Sequence, residues 1–249
     1  MRKLKYGWKP DLPDYRDIYF TRVEGFRDIP KIDLAPLFQP IIDQGELGSC
    51  TACAITDAFE FEVRKSRPES AEELSKLFLY YLERFLEGTV KEDSGAMIRT
   101  GMKVLAHYGV CSESLWDYDI SKFAVKPPKR CFENALAHKV LVYLRVNQNL
   151  TDIRACLAAK YPITFGISLY ESFHSEDVWR TGIVPMPSGN DSSLGGHAIL
   201  LVGYDDRKRL FKFRNSWSEE WGDKGYGYLP YAYVTNGDLA TDFWTIRQV

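Results

Sequence analysis

Apolar residues recur at helical spacing after Cys50, at Ala52, Ala54, Ile55, Ala58 and Phe59, and predict a helix opening at that cysteine. A second helix runs through Leu74, Leu77, Phe78, Tyr81, Leu82 and Phe85, started by the capping-box pattern Ser70-Ala71-Glu72-Glu73. A third extends from about Gly95 through Ile98, Met102 and Leu105 to Tyr108, where Gly109 stops it. Beyond Val140 the period shortens. Strands are predicted at Leu141–Val146, Pro162–Ser168, His197–Tyr204, Leu210–Asn215 and Gly227–Tyr231, forming an antiparallel barrel or curled sheet. A short helix opened by Thr151-Asp152 carries Ile153, Cys156 and Leu157 on its apolar face. Lys126-Pro127-Pro128-Lys129 marks the expected crossing from the helical half to the strand-rich half. No internal repeat or low-complexity tract interrupts this order.

Two segments carry chemistry. Gln44-Gly45-Glu46-Leu47-Gly48-Ser49-Cys50 sets an amide donor six residues before a cysteine at a helix N-terminus, where unpaired amides and the macrodipole favour a thiolate. Alone, this segment fits a Gly-rich turn into a structural helix equally well. The second is the hairpin Gly196-His197-Ala198 through Val202-Gly203-Tyr204, a turn at Asp205–Arg209, and Leu210 to Asn215. With the turn centred on Asp206 and no bulge, His197 pairs directly with Asn215, so an amide oxygen can orient an imidazole whose other nitrogen serves a thiol. His107, His138 and His174 fall in ordinary polar positions and read as surface residues.

The five cysteines, Cys50, Cys53, Cys111, Cys131 and Cys156, are an odd and sparse set for 249 residues, which argues against a disulfide framework. Pairing of Cys111 with Cys131 stays open. Cys50-Thr51-Ala52-Cys53 alone would suggest a thiol redox site, but that reading explains neither Gln44 nor the hairpin. A formal charge of −2 points away from nucleic acid and anionic membranes as partners. At 45% hydrophobic residues, the chain can bury a full core in one domain or two lobes. No apolar run approaches a membrane span, and no hydrophobic signal core is visible. The expectation is cytoplasmic as written, or secreted if trimmed or exported by another route.

Together these blocks resemble the papain family of cysteine peptidases. The resemblance rests on Gln44-Gly45 through Cys50, Gly196-His197-Ala198 with Val202-Gly203-Tyr204, and Asn215-Ser216-Trp217 with Trp221-Gly222 and Gly225-Tyr226, in the family's order. It reaches Ile29-Pro30 and Ile32-Asp33-Leu34, which look like a mature start, and the opening Tyr6 to Asp14 resembles a bacterial branch. The implied fold is α+β with two lobes: a helical lobe over about 40–130, a barrel-like β lobe over about 140–249, and a cleft between them. The implied roles are Cys50 nucleophile, His197 base and later acid, Asn215 orienter and Gln44 oxyanion donor. Trp217 would shield the Asn–His bond and Trp221 would line the leaving-group side. Ser94-Gly95 would pair with substrate backbone, while Met97, Ile98, Gly166 and Gly196 lie near the substrate, the first three at an apolar specificity pocket. Met97 and Ile98 are equally readable as helix core. Leu47, Thr51 and Gly196 depart from the family's usual cysteine, tryptophan and acidic residue.

The implied activity is peptide hydrolysis by a monomer without metal or organic cofactor, acting on peptide or protein substrates. A non-catalytic binding module of the same fold, or an acyltransferase or deamidase using the same residues, is the alternative. Residues 1–28 precede the domain expected at 29–249. Trp8, Tyr15, Ile18, Tyr19 and Phe20 are expected to anchor this extension, and Pro10 and Pro13 to hold it extended. It either lies in the cleft and keeps the enzyme latent, or staples the back of the lobes.

Overall fold

The structure, a computed structural model, describes residues 5–21, 29–70 and 72–249. Its chain begins with two short strands, β1 (Trp8–Lys9) and β2 (Lys31–Asp33), and then enters α1 (Cys50–Ser66). There follow α2 (Lys76–Leu86), β3 (Ala96–Met97), α3 (Ile98–His107) and α4 (Lys129–Ala135). The strand-rich half comprises β4 (Val142–Arg145), α5 (Leu150–Ala158), β5 (Ile163–Tyr170), α6 (Glu176–Thr181) and β6 (Ser193–Asp205). It closes with β7 (Leu210–Arg214), β8 (Tyr226–Pro230), α7 (Tyr231–Val234) and β9 (Ala240–Gln248).

Helix α1 is buried from Cys50 to Val63, so its Asp57, Glu60 and Glu62 need partners. Arg214 meets Asp57 at 2.5 Å, Lys76 meets Glu60 at 3.0 Å and Lys65 meets Glu62 at 2.6 Å. Helix α2 starts later than the pattern at Ser70 suggests. The Ser75 side chain accepts from the Phe78 amide and caps it, while Ala71 and the Ser70 side chain lie outside the described residues. Helix α3 likewise starts at Ile98, because Ala96–Met97 are drawn into a strand by β1. Helix α5 is capped by Asn149 rather than opened by Thr151, with the Asn149 side chain accepting from the Asp152 amide at 2.8 Å.

The sheet is open, not a closed barrel: its path is β4-β9-β5-β6-β7-β8, with β2 added to β6. Strand β9, absent from the sequence reading, sits inside that path between β4 and β5. The long β6 is the wall shared by two cores. Successive strand residues face opposite sides, so Ala198, Leu200 and Val202 join the helical core while Ile199 and Leu201 join the core behind the sheet. Cys131 and Ala135 of α4 also belong to the helical core, so the crossing comes after α4 and not at Lys126–Lys129. The turn is centred between Arg207 and Lys208, with Asp205 facing Leu210, and not on Asp206; even after a bulge between Leu201 and Gly203 the register runs Leu200↔Arg214, which takes His197 out of direct opposition to Asn215. Among the described residues no helix is long and apolar enough to cross a membrane.

Candidate active site

Cys50 is the first residue of α1 and is fully buried against β6, where the Ala198 amide donates to its Sγ at 3.4 Å. His197, the residue before Ala198, is therefore held beside the thiol by the same strand. Its Nε2–H donates to Asn215 Oδ1 at 2.9 Å, an oxygen that also accepts from the Ser216 amide at 2.9 Å. That fixes the tautomer with Nδ1 unprotonated, and Nδ1 is buried with no protein partner. The contact expected from the hairpin thus forms diagonally across the shifted register, and Trp217 stacks on the imidazole at 4.6 Å between centroids. Gln44 is buried, with Oε1 accepting from Ser216 Oγ at 2.5 Å and Nε2 donating to Leu47 O at 2.8 Å. Thr51, where the family usually has tryptophan, donates to Glu83 at 2.8 Å. Burial holds that carboxyl well above the usual range.

The cleft is occupied by the chain's own residues 5–9. The Gly7 amide faces the Cys50 sulfur and works against the upward shift of its thiol, and the Gly7 carbonyl accepts from the Ala96 amide at 2.7 Å. From there β1 runs parallel to β3, with Trp8 beside Ala96 and Lys9 beside Met97. Gln44 Nε2 reaches Lys5 O at 3.3 Å, so an oxyanion-type donor already holds a carbonyl of this segment. Only glycine fits at Gly7: a Cβ there would lie 1.7 Å from Gly48 O, and one at Gly95 would lie 1.9 Å from Gly7 O. The Trp8 indole fills the space over two further glycines, with a Cβ at Gly166 or Gly196 falling 1.9 Å or 2.5 Å from the ring. Further along, Asp11 accepts from the Arg99 amide at 3.0 Å and from Trp244 Nε1 at 2.8 Å, and Arg99 Nη2 pairs with Asp17 at 2.5 Å. The Phe20 amide bonds Arg145 O at 2.7 Å, and its ring is buried. Of the expected anchors, only Trp8 and Phe20 are buried. Tyr15, Ile18 and Tyr19 point to solvent, because the segment is held mainly by ion pairs and backbone bonds.

Occupation changes the electrostatics. Burial pushes the Cys50 thiol up to about 11 and holds the His197 imidazole down at about 4, against only partial relief from the bonds to Ala198 and Asn215. The docked pair is therefore neutral thiol and neutral imidazole, not the thiolate expected from the helix N-terminus. Desolvation outweighs the macrodipole while the segment excludes water.

The family description "papain family cysteine protease" matches residues 31–242. This chain belongs to the papain family of cysteine proteases. Its fold is similar to the crystal structure of xylellain, a cysteine protease from Xylella fastidiosa, at TM-score 0.93 and 41% identity, covering 100% of this chain and 97% of that one. An uncharacterized peptidase C1-like protein of Acanthamoeba polyphaga mimivirus is 40% identical over 98% of this chain and 87% of its own length. Peptidase 1 of Dermatophagoides pteronyssinus is 29% identical over 80% of this chain, which spans 58% of that relative's length.

Main-chain pairing with the segment falls on Ala96, one residue past Gly95, while Ser94 Oγ bonds Thr89 Oγ1 at 2.7 Å. Met97 is half-buried beside Lys9, and Ile98 is fully buried in the core that also holds Trp8. Trp221 lies beneath Trp217, edge to face at 5.7 Å, so it supports that ring from below. All five cysteines are free thiols, and Cys111 and Cys131 lie together without a bond. His138 is partly buried and pairs with Glu72 at 3.0 Å. His174, read as a surface residue, stands in the cleft instead. Its ring stacks on Trp217 at 5.7 Å, and no motif announces it because the turn that carries it is placed by Phe173.

Proposed function

We propose that Cys50, His197, Asn215 and Gln44 carry out peptide-bond hydrolysis through an acyl-enzyme, and that residues 5–9 hold this machinery latent. The observation that carries the reading is that Cys50, at a helix N-terminus, is bonded by Ala198 of the strand that also holds His197, whose imidazole Asn215 orients with Nδ1 unprotonated, while Gln44 offers a buried carboxamide donor. The Cys50 thiolate attacks the substrate carbonyl while Gln44 Nε2 and the Cys50 amide take the developing oxyanion. His197, protonated by the thiol, then gives its proton to the leaving amine. Water attacks the thioester with His197 as base, releasing the acid and restoring the thiol. Peptide or protein chains are the substrates, and the segment competes for the cleft that they need.

A second reading, a binding module with a permanently filled cleft, draws on the neutral, fully buried thiol. Treatment with a thiol-directed epoxide separates the two. The catalytic reading expects a mass shift at Cys50 that His197→Ala slows, together with peptide hydrolysis that either Cys50→Ala or His197→Ala abolishes. Asn215→Ala should lose less, since nucleophile and base remain. Undiminished hydrolysis by Cys50→Ala would overturn it.

A further inference from the structure

His174 ends a 3-10 turn at Glu171–His174 that leaves the end of β5. Phe173 locks this turn, stacked on Trp221 at 5.8 Å with 12° between planes and set edge-on to Trp217 at 5.7 Å. The His174 ring is thereby held nearly parallel to Trp217, at 22°, on the same indole that covers His197. Its Nε2 is hydrogen-bonded to the Tyr6 hydroxyl at 2.5 Å, and the Tyr6 ring lies against both aromatic rings, at 5.6 Å from His174 and 6.4 Å from Trp217. Burial lowers His174 and raises Tyr6 from their ordinary values, which favours the uncharged form of each partner in this hydrogen bond. Tyr6 and Trp8 flank Gly7, whose amide faces the sulfur. The Tyr6 site and the Trp8 site therefore lie on opposite sides of the reacting atom.

We infer that His174 is a specificity-determining residue: with Trp217 it forms a subsite that selects a tyrosine side chain on the leaving-group side of the scissile bond. This rests on the peptidase reading above. The side follows from His197, which must reach the leaving amine beneath the same Trp217. Stacking would accept any ring, whereas the imidazole nitrogen asks for a hydroxyl. A phenylalanine would leave Nε2 unpaired.

The test uses the full chain and a peptide series in which Tyr or Phe is placed in turn at each of the two residues on either side of the scissile bond. Segment occupancy scales kcat/KM for every peptide by the same open fraction, so the Tyr/Phe ratio is independent of it. At one leaving-side position Tyr should exceed Phe by about three- to tenfold, the range of one neutral hydrogen bond. His174→Phe should bring the ratio to about one, and His174→Gln should restore part of it. Equal ratios at every position, or a preference that survives His174→Phe, would overturn the inference. The same peptides are also scored for protection of Cys50 against alkylation. Stronger protection by Tyr without cleavage would sustain the subsite while overturning peptide hydrolysis.

Discussion

Gln44 does two things with one carboxamide. Its Oε1 is pinned by Ser216, which leaves Nε2 directed at Leu47 O and Lys5 O. A donor so fixed needs no reorganisation when an oxyanion replaces the Lys5 carbonyl. Gln44→Ala should lower kcat by about 10²–10³-fold with KM little changed, as loss of one oxyanion donor does. Gln44→Glu should not rescue it, because a carboxylate there repels the developing charge. Steady-state kinetics on a good peptide substrate checks this, and an unaltered kcat would remove Gln44 from the chemistry.

The short parallel pair β1–β3 is the working element of the latch, and its weakest link is Gly7. A methyl group there would meet Gly48 O at 1.7 Å, which the backbone cannot accept. Overpacking of this kind costs about 1–3 kcal/mol, about 5- to 150-fold in the open population. Gly7→Ala should therefore speed Cys50 alkylation by that factor, most visibly near neutral pH, where the docked thiol is protonated. Tyr15→Ala, which alters a solvent-facing ring, should leave the rate unchanged. A folded Gly7→Ala chain no more reactive than the parent would contradict latency.

The grouping of Gln44, Cys50, His197 and Asn215 proposed as catalytic was legible because each sits in a short local pattern whose chemistry has few other uses. The hairpin register was not, since the turn centres between Arg207 and Lys208 and not on Asp206, and neither that offset nor the bulge at Leu201/Gly203 changes the strands' composition. The start of α2 was misplaced because Ser70 and Ser75 both precede plausible first turns, and only tertiary contact selects Ser75. The extension's aromatic residues suggested burial. Hydrophobicity did not decide it, because Arg99 and Arg145 offered the segment ionic partners far away in sequence.

Docking of the segment is also coupled to protons, through the cluster that joins it to α3, β4 and β9. Asp11, Asp17 and Asp242 face Arg99 and Arg145, one negative charge in excess; nearby Asp14 is matched by Arg16 and by Lys103 at 4.0 Å. Burial first, and then Asp242, raise Asp11 to about 6 from an ordinary 3.8. A carboxyl raised by docking takes up a proton as it docks. Its contribution is complete below about 4 and is lost as pH climbs through about 6. If release restores a thiolate–imidazolium pair, docking merely returns the proton from His197 to Cys50, and the pair adds no net uptake near neutrality. Asp11 thus favours docking in acid, while His174, which burial beside Tyr6 holds low, favours docking as pH rises. Hydrogen exchange of residues 5–12, scaled for intrinsic rate, should show a larger ratio of protection at pH 5 to protection at pH 7.5 in the parent than in Asp11→Asn, and equal ratios would contradict the Asp11 linkage.

The segment's place in the chain also decides when the proposed latch can engage. Translation delivers residues 5–9 long before His197 and Asn215, and domains fold as their sequence emerges. The pieces that complete the catalytic set therefore arrive last, onto a sulfur whose guard is already tethered nearby at high effective concentration. No stage of synthesis needs to expose an assembled, empty cleft to the nascent chain or its neighbours. If the segment is the latch proposed above, protection during synthesis follows from the order of the residues along the chain.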